Sequence, residues 1–469
     1  MTLAVEQAAA RLDSITVNVI IALVALTGFM IGTDLSLVSV ALPTIGQTLP
    51  IAPSLLPWVV TVTSLGLGGF LIVGGRASDA YGQRPVFLSG VALFGVASLL
   101  AAAAASFAVL VMARGVEGIG AALMAPSSFS MINTLLPQGA LRRRALGAYG
   151  IMQGVALVIG PFLGGALTSA VGWRGVFLVM PPVAAISFLL GWRYIPAPAR
   201  RQEIGSDLIG IALVIVTPAL VMLSLSFLEH DGGASHRVLA TMAAGVVAAI
   251  LFLLIETRVK TPLMPPAIFR YQNMKGASVA TLSSIAMGSA FFMTSNMYLQ
   301  KGLHFSPYAT GLGLLPFGCA TIIGGQLCPF GLKRWSSRTV VLCALGLVMT
   351  GLVLLIRVPD QASYLRNFLP GTEITQIGPV ISMVALMAMA TASVPAAEQG
   401  AAAAIIMTAQ QVGLPIGIAI VMTIMTSIGG MMGFRSAYLA CMVLAAITAA
   451  IVLLFTTAKS AAPGRATGI

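Results

Sequence analysis

Gly75-Arg76-Ala77-Ser78-Asp79-Ala80-Tyr81-Gly82-Gln83-Arg84-Pro85 separates two long apolar runs, roughly 54–75 and 86–105. Glycine lets a chain reverse tightly, and the acid and arginines suit the ends of neighbouring helices, where the helix dipole favours opposite charge. The segment reads as a short polar loop between two apolar helices. Working outward, a helix that crosses a bilayer needs about 20 apolar residues. Runs of that length lie on both sides, at roughly 17–43, 54–75, 86–105, 107–132, 145–169 and 174–192, then 208–228 and 238–255, then 276–299, 307–328, 339–357, 367–393, 401–428 and 435–456. That makes fourteen predicted spans.

Composition agrees. Of 469 residues, 58% are hydrophobic and 8% charged, with a mean hydropathy of +0.99, where soluble domains carry about 25% charged residues. A soluble protein so composed would have no polar coat, so lipid is the solvent. Irregular backbone cannot face lipid, and the runs are therefore helices. The net charge of +12 is scattered in short clusters between apolar runs, which argues against nucleic-acid binding and for a role in membrane orientation. Cys319, Cys328, Cys343 and Cys441 show no CxxC spacing, and His230, His236 and His304 fall in predicted outer loops, so neither a disulfide framework nor a metal site is expected. The first run continues too far for a signal peptide and is read as the first span. No Gly-x-x-x-x-Gly-Lys-Ser/Thr phosphate loop and no nucleophile elbow occur, so the chain reads as neither an ATP-driven pump nor an enzyme.

Lysine and arginine set the orientation. With a cytoplasmic N-terminus, the inner side carries Arg11, Arg76, Arg84, Arg142, Arg143, Arg144, Arg193, Arg200, Arg201, Arg258, Lys260, Arg270, Lys275, Lys333, Arg334, Arg338, Lys459 and Arg465. The outer side carries only Arg174, Arg237, Lys301, Arg357, Arg366 and Arg435. Both termini are therefore expected in the cytoplasm. A faint internal echo accompanies this. The second run ends in Gly74-Gly75-Arg76 and the tenth in Gly324-Gly325-Gln326, and the two begin near Ser54 and Ser306. Transporters are often built from repeated bundles with a site between them.

The Gly75–Pro85 segment, with Gly75, Arg76, Asp79, Gly82 and Arg84 in place, resembles the signature loop of the major facilitator superfamily, Gly-x-x-x-Asp-x-x-Gly-x-Arg. Gly147, Ala156, Gly160, Pro161, Gly164 and Gly165 in span five resemble the antiporter motif of its drug-exporting members, although Ala156 stands where the pattern usually has Gly. Small residues there permit close helix approach and the proline bends the helix. Asp34-Leu35-Ser36-Leu37-Val38-Ser39-Val40-Ala41-Leu42-Pro43 is similar to the Asp-x-Thr-x-Val-Asn-Val-Ala-Leu-Pro element of the fourteen-span drug/proton antiporters. Arg114-Gly115-Val116-Glu117-Gly118-Ile119-Gly120-Ala121-Ala122 resembles their Arg-x-x-Gln-Gly-x-Gly-Ala-Ala, with Glu117 replacing Gln. Gln410-Gln411-Val412-Gly413 resembles the start of their span thirteen. The second-half copy of the signature loop, around Gly325 to Arg338, lacks its acid.

A charge in mid-membrane costs roughly 2.5–3.5 kcal/mol even on the gentlest scale, so an intramembrane ionisable residue is a functional candidate by default. Asp34, Arg114, Glu117 and Glu373 stand inside predicted spans. At ~1.5 Å per residue, Asp34 lies roughly 13 Å and Arg114 roughly 10 Å below the outer ends of spans one and four, so they can meet. Glu117 is one turn from Arg114 on the same face. Asp34 is expected to carry the coupling proton and Arg114 to tune it, since burial and a nearby cation push a carboxylate in opposite directions. Glu117 is either a second proton site or a structural partner of Arg114. Glu373, roughly 9 Å into span twelve, is either a substrate- or proton-binding residue or a partly hydrated residue near the surface. Gly75, Arg76, Asp79, Gly82 and Arg84 are read as a cytoplasmic gate. Met287, Met293 and Met297, and Met383, Met387 and Met389, either line an adaptable cavity or simply face lipid or fill the core.

The resemblance implies an all-α membrane protein of fourteen spans. Six-helix bundles at 1–195 and 261–469 flank an extra pair at 196–260. It implies a monomeric plasma-membrane exporter, in a bacterial inner membrane, that moves lipophilic or cationic compounds in exchange for protons by alternating access, with no cofactor beyond protons. Two other functions stay open: a metabolite or lipid exporter, or proton-linked importer, on the same fold, and a non-transporting membrane receptor or scaffold.

Overall fold

The computed structural model describes residues 13–49, 51, 55–136, 140–196, 208–231, 235–256, 258–259, 266–271, 273–359, 363–392, 394 and 399–456. Every predicted span is helical. The helices of the first half are α1 Ser14–Thr48, α2 Trp58–Tyr81, α3 Gln83–Ala102, α4 Phe107–Leu135, α5 Ala140–Val171, α6 Trp173–Phe177 and α7 Met180–Tyr194. The extra pair is α8 Leu208–Asp231 and α9 His236–Glu256. The rest are α10 Met274–Met297, α11 Pro307–Gly313, α12 Leu315–Arg334, α13 Ser337–Ile356, α14 Leu369–Thr391, α15 Gln399–Ile428 and α16 Gly430–Phe455. Among the described residues, 11 helical stretches are long and apolar enough to cross a membrane, and the fold is all-α.

The structure departs from the sequence reading in several places. The polar segment after span two is not a loop. Residues 76–81 contain neither glycine nor proline, so α2 runs on through Gly75, Arg76 and Asp79 to Tyr81, and α3 starts at Gln83. A single residue, Gly82, makes the turn at φ +88°, where an L side chain would be strained. The sixth and tenth runs are each two helices, and the second of each pair starts beside a proline, Pro181 or Pro316. π-helical turns, Tyr298–Gly302 and Tyr364–Phe368, stand at the ends of spans nine and twelve. His230 and His236 lie in helices rather than loops, at the end of α8 and the start of α9. Arg11, Ser54, Arg200, Arg201, Lys260, Lys459 and Arg465, and the side chains of Asp79 and Arg143, lie outside the described residues.

By contacts the chain divides into two units, residues 1–219 with 304–318, and residues 220–303 with 319–469. Within the first unit α1 packs on α5, α2 and α3 pack on α4, and α3 packs on α7. Within the second, α10 packs on α15, α13 on α14, and α13 on α16. Offset by eight, spans one on five, three on four and three on six recur as nine on thirteen, eleven on twelve and eleven on fourteen, while the packing of span two on span four has no counterpart of like extent between spans ten and twelve. Details repeat as well. Gly74 of span two faces the Ala122–Leu123 backbone of span four, and Gly324 of span ten faces the Ile377 carbonyl of span twelve. Gly172 turns the chain between spans five and six at φ +82°, and Gly429 between spans thirteen and fourteen at φ +71°. The echo heard in Gly74-Gly75 and Gly324-Gly325 is thus a structural repeat. The turn after span ten departs from it: Trp335 and Ser336 stand there instead of a lone glycine, and the Ser336 hydroxyl caps α13 at the Thr339 amide, 3.2 Å.

The repeat also explains two arginines that break the inside-positive bias. Arg174, at the start of span six, donates to the Ala104 carbonyl just past α3 at 2.9 Å. Arg435, at the start of span fourteen, donates to the Val358 carbonyl just past α13 at 2.8 Å. At the other ends of the same helix pairs, Arg84 donates to the Trp192 carbonyl at 2.6 Å and Arg338 to the Leu453 carbonyl at 2.9 Å. Each cation meets the negative end of its antiparallel neighbour, where the last carbonyls have no helical donor. The four arginines clamp spans three and six, and eleven and fourteen, at both ends.

Candidate functional site

Span four carries the site because its glycines bring other helices close. A methyl on Gly120 would lie 2.8 Å from the Gly90 carbonyl oxygen of α3. One on Gly66 of α2 would lie 2.7 Å from the Gly115 carbonyl oxygen. The Arg114–Ala122 motif is thus a packing device on two faces, and it delivers Arg114 to a fixed place between helices.

Arg114 is fully buried, as is Glu117, and Asp34 is 9% exposed. The guanidinium grips Asp34 with two hydrogen bonds, Nη1 to Oδ1 at 2.5 Å and Nη2 to Oδ2 at 2.6 Å. Nη1 also donates to Glu117 Oε2 at 2.7 Å, and Nε donates to the Val59 carbonyl of α2 at 2.8 Å. The Phe177 ring centre of α6 lies 5.6 Å from the guanidinium carbon. The Ser98 hydroxyl of α3, beside Glu117, donates to the Phe177 carbonyl at 2.9 Å. Glu117 Oε1 is buried and has no hydrogen-bond partner among the described residues. The structure therefore brings the three predicted residues together, inside a ring drawn from spans one, two, three, four and six. Val59, Ser98 and Phe177 had no sequence signal, since one contributes only its backbone and the others are unremarkable in apolar helices.

The depth estimate needs correction. Pro43 does not end the first span, because α1 runs on to Thr48. Asp34 is thus roughly 21 Å from the helix end at ~1.5 Å per residue. The hydroxyls around it are spent on the backbone: Thr33 donates to the Phe29 carbonyl, Ser36 to Thr33 at 3.1 Å and Ser39 to Ser36 at 2.8 Å. Asp34 reaches across to Arg114 of span four.

The antiporter motif holds the other side of α1. Gly160 and Gly164 of α5 lie against Ser36 and the Leu37 backbone. Ala156, the departure from the family pattern, is fully buried opposite Gly32, which leaves room for its methyl. Gly165 meets the backbone of Pro307 and Tyr308, and Gly311 of α11 meets that of Pro161 and Phe162. Pro161 lies inside α5. Gly147 has nothing within 4 Å of where a Cβ would stand, so it takes no part in this packing.

Of the gate residues, Gly75 approaches Pro126 of α4, at 3.7 Å from a built Cβ. Arg76 is half-buried in the last turns of α2. Arg84 also stacks over the Trp192 ring, 5.3 Å from its centre. In the second unit, Met287, Met293, Met297 and Met389 are buried, and Met383 is 38% exposed. Glu373 lies half-buried on α14.

The family profile described as Major Facilitator Superfamily matches residues 24–413. The chain belongs to the major facilitator superfamily. It is 35% identical over 417 residues to a puromycin resistance protein of Streptomyces alboniger, which covers 87% of this chain and 80% of that one. It is 31% identical over 408 residues to a cephamycin export protein of Amycolatopsis lactamdurans, covering 84% and 82%. The fold also superposes on a crystal structure of a POT peptide transporter in complex with sulfate, with a TM-score of 0.68, 15% identity, and 96% and 98% of the two chains covered. As a superfamily member with many membrane-length helices, the chain is an integral membrane transporter and not an enzyme.

Proposed function

We propose that this superfamily member exports lipophilic, often cationic toxic compounds, antibiotics among them, in exchange for protons. It would act as a monomer in a bacterial plasma membrane, with both termini in the cytoplasm. The names of its relatives support the substrate class, and the lysine and arginine bias supports the orientation. The observation that carries the coupling is the buried cluster of one guanidinium against two carboxyl groups. With both acids ionised, the cluster holds a net charge of −1 in a low-dielectric site, and one proton makes it neutral.

Asp34 takes that proton, because its side chain is 11% exposed while those of Glu117 and Arg114 are at 1% and 0%. Protonation removes the ionic character of both Asp34 bonds to Arg114, and with it the clamp between spans one and four. Glu117 stays as the standing counter-charge, so Arg114 is never left alone. The binding of a cation and that of the proton then oppose each other, and each state of Asp34 favours a different arrangement of span one against span four.

Everted membrane vesicles containing the protein are expected to accumulate a fluorescent lipophilic cation when their lumen is acidified. A protonophore should abolish that accumulation. Accumulation that survives the protonophore would contradict proton exchange, and no accumulation across a broad panel of lipophilic compounds would contradict drug export.

A further inference from the structure

Unit two holds an acid that the coupling cluster does not use. Glu373 sits on the second turn of α14, and its Oε1 is buried with no hydrogen-bond partner among the described residues. It forms no ion pair among the described residues. A carboxylate oxygen with no donor inside a spanning helix carries an uncompensated desolvation cost. Glu117 Oε1 shares that lack, but Arg114 pairs with Glu117 through Oε2 and with Asp34, whereas no cation pairs with Glu373 among the described residues.

The surroundings suit a cation. One turn along the same helix, Gln376 donates to the Thr321 hydroxyl of α12 at 3.2 Å, which engages its amide group with the neighbouring helix. On the other side of Glu373 the π turn carries Tyr364, close enough to feel the carboxylate charge. Tyr364 is half-buried and tilted against Phe368, with ring centres 6.0 Å apart. Phe368 is fully buried and stacks on Tyr298 at 5.1 Å, which in turn meets Phe434 edge-on at 5.4 Å. Phe368 thus holds Tyr364 in place, and a cation at Glu373 has an acid that forms no ion pair among the described residues together with an aromatic ring in its surroundings.

We propose that Glu373, with Tyr364 beside it, is the recognition site for the positively charged group of a lipophilic cation, such as a quaternary ammonium or phosphonium centre. This rests on the export reading above and adds to it a charge selectivity located on one side chain. A single carboxylate without a basic neighbour attracts monocations and repels anions, and it contributes little to the binding of uncharged compounds.

The test measures transport and binding with wild-type protein, Glu373→Gln and Glu373→Asp. The probes are tetraphenylphosphonium and ethidium as cations, and an uncharged lipophilic antibiotic as reference. Glu373→Gln is expected to weaken tetraphenylphosphonium binding at least about tenfold, to reduce cation transport, and to leave the uncharged compound unchanged. Glu373→Asp is expected to recover part of the cation binding. Equal cation binding by wild type and Glu373→Gln would overturn the proposal, as would a parallel loss for charged and uncharged probes. Wild-type protein that transports only the uncharged compound would overturn the proposal and leave proton-coupled export standing. Wild-type protein that transports nothing would count against export itself.

Discussion

Arg114→Met is expected to destabilise the protein by about 3–5 kcal/mol, the range for removing one partner of a buried ion pair. The substitution leaves two carboxyl groups in the span-one to span-four interface without their cation, and it removes the second hydrogen bond that Nε gives the Val59 carbonyl. A conservative lysine does not repair this, because a single ammonium cannot make the two-pronged contact to Asp34 while also reaching Glu117 and Val59. The measurement is thermal unfolding in lipid-supplemented detergent together with the amount of protein in the membrane. The triple variant Asp34→Asn, Arg114→Met, Glu117→Gln separates folding from coupling. With no buried charge left, it is expected to recover most of the stability but none of the proton-driven transport. A triple variant that still moved cations on a proton gradient would place the coupling elsewhere.

The second large effect is steric. In Gly164→Leu and Gly165→Val the new Cβ meets backbone, which cannot move aside as a side chain tip can. At Gly164 it would stand 3.2 Å from the Leu37 Cα, and at Gly165 it would stand 2.9 Å from the Pro307 carbonyl carbon. Overpacking of this kind costs about 1–3 kcal/mol, and the backbone contact puts these sites at the upper end. Transport is expected to fall at least about tenfold in each. Gly147→Ala is the control, since a Cβ there meets nothing within 4 Å. It is expected to leave transport unchanged and to gain up to about 1 kcal/mol of helix propensity. Loss of transport in Gly147→Ala equal to that in Gly164→Leu would show that close packing is not what the motif provides.

Much of the fold was legible because lipid allows so few backbone solutions. Runs of about 20 apolar residues have to be helices, and all but the last one to three residues of the spans at 86–105, 339–357 and 435–456 lie within α3, α13 and α16. The ends were harder to read. Hydropathy marks where lipid stops and says nothing of where hydrogen bonding stops, so α1 outran its apolar stretch by passing Pro43, and α2 swallowed most of the signature segment. The meeting of Asp34 with Arg114 was legible from depth and from the cost of mid-membrane charge. The partners that complete it were not. Val59 contributes a carbonyl that every residue has, and Gly66 and Gly90 matter only because Gly115 and Gly120 lie opposite. The outer arginines Arg174 and Arg435 did leave a trace, as exceptions to the charge bias, but their role needed the carbonyls they cap.

The central claim is that Asp34 carries the proton that is exchanged for substrate. The direct measurement is proton release by the purified transporter, followed with a pH-sensitive dye in weakly buffered detergent solution as a lipophilic cation is added. The wild type is expected to release about one proton per cation bound, because linked ligands oppose each other reciprocally. Asp34→Asn is expected to bind the cation and release none. Release of the same size from Asp34→Asn would contradict the account and move the proton to Glu117.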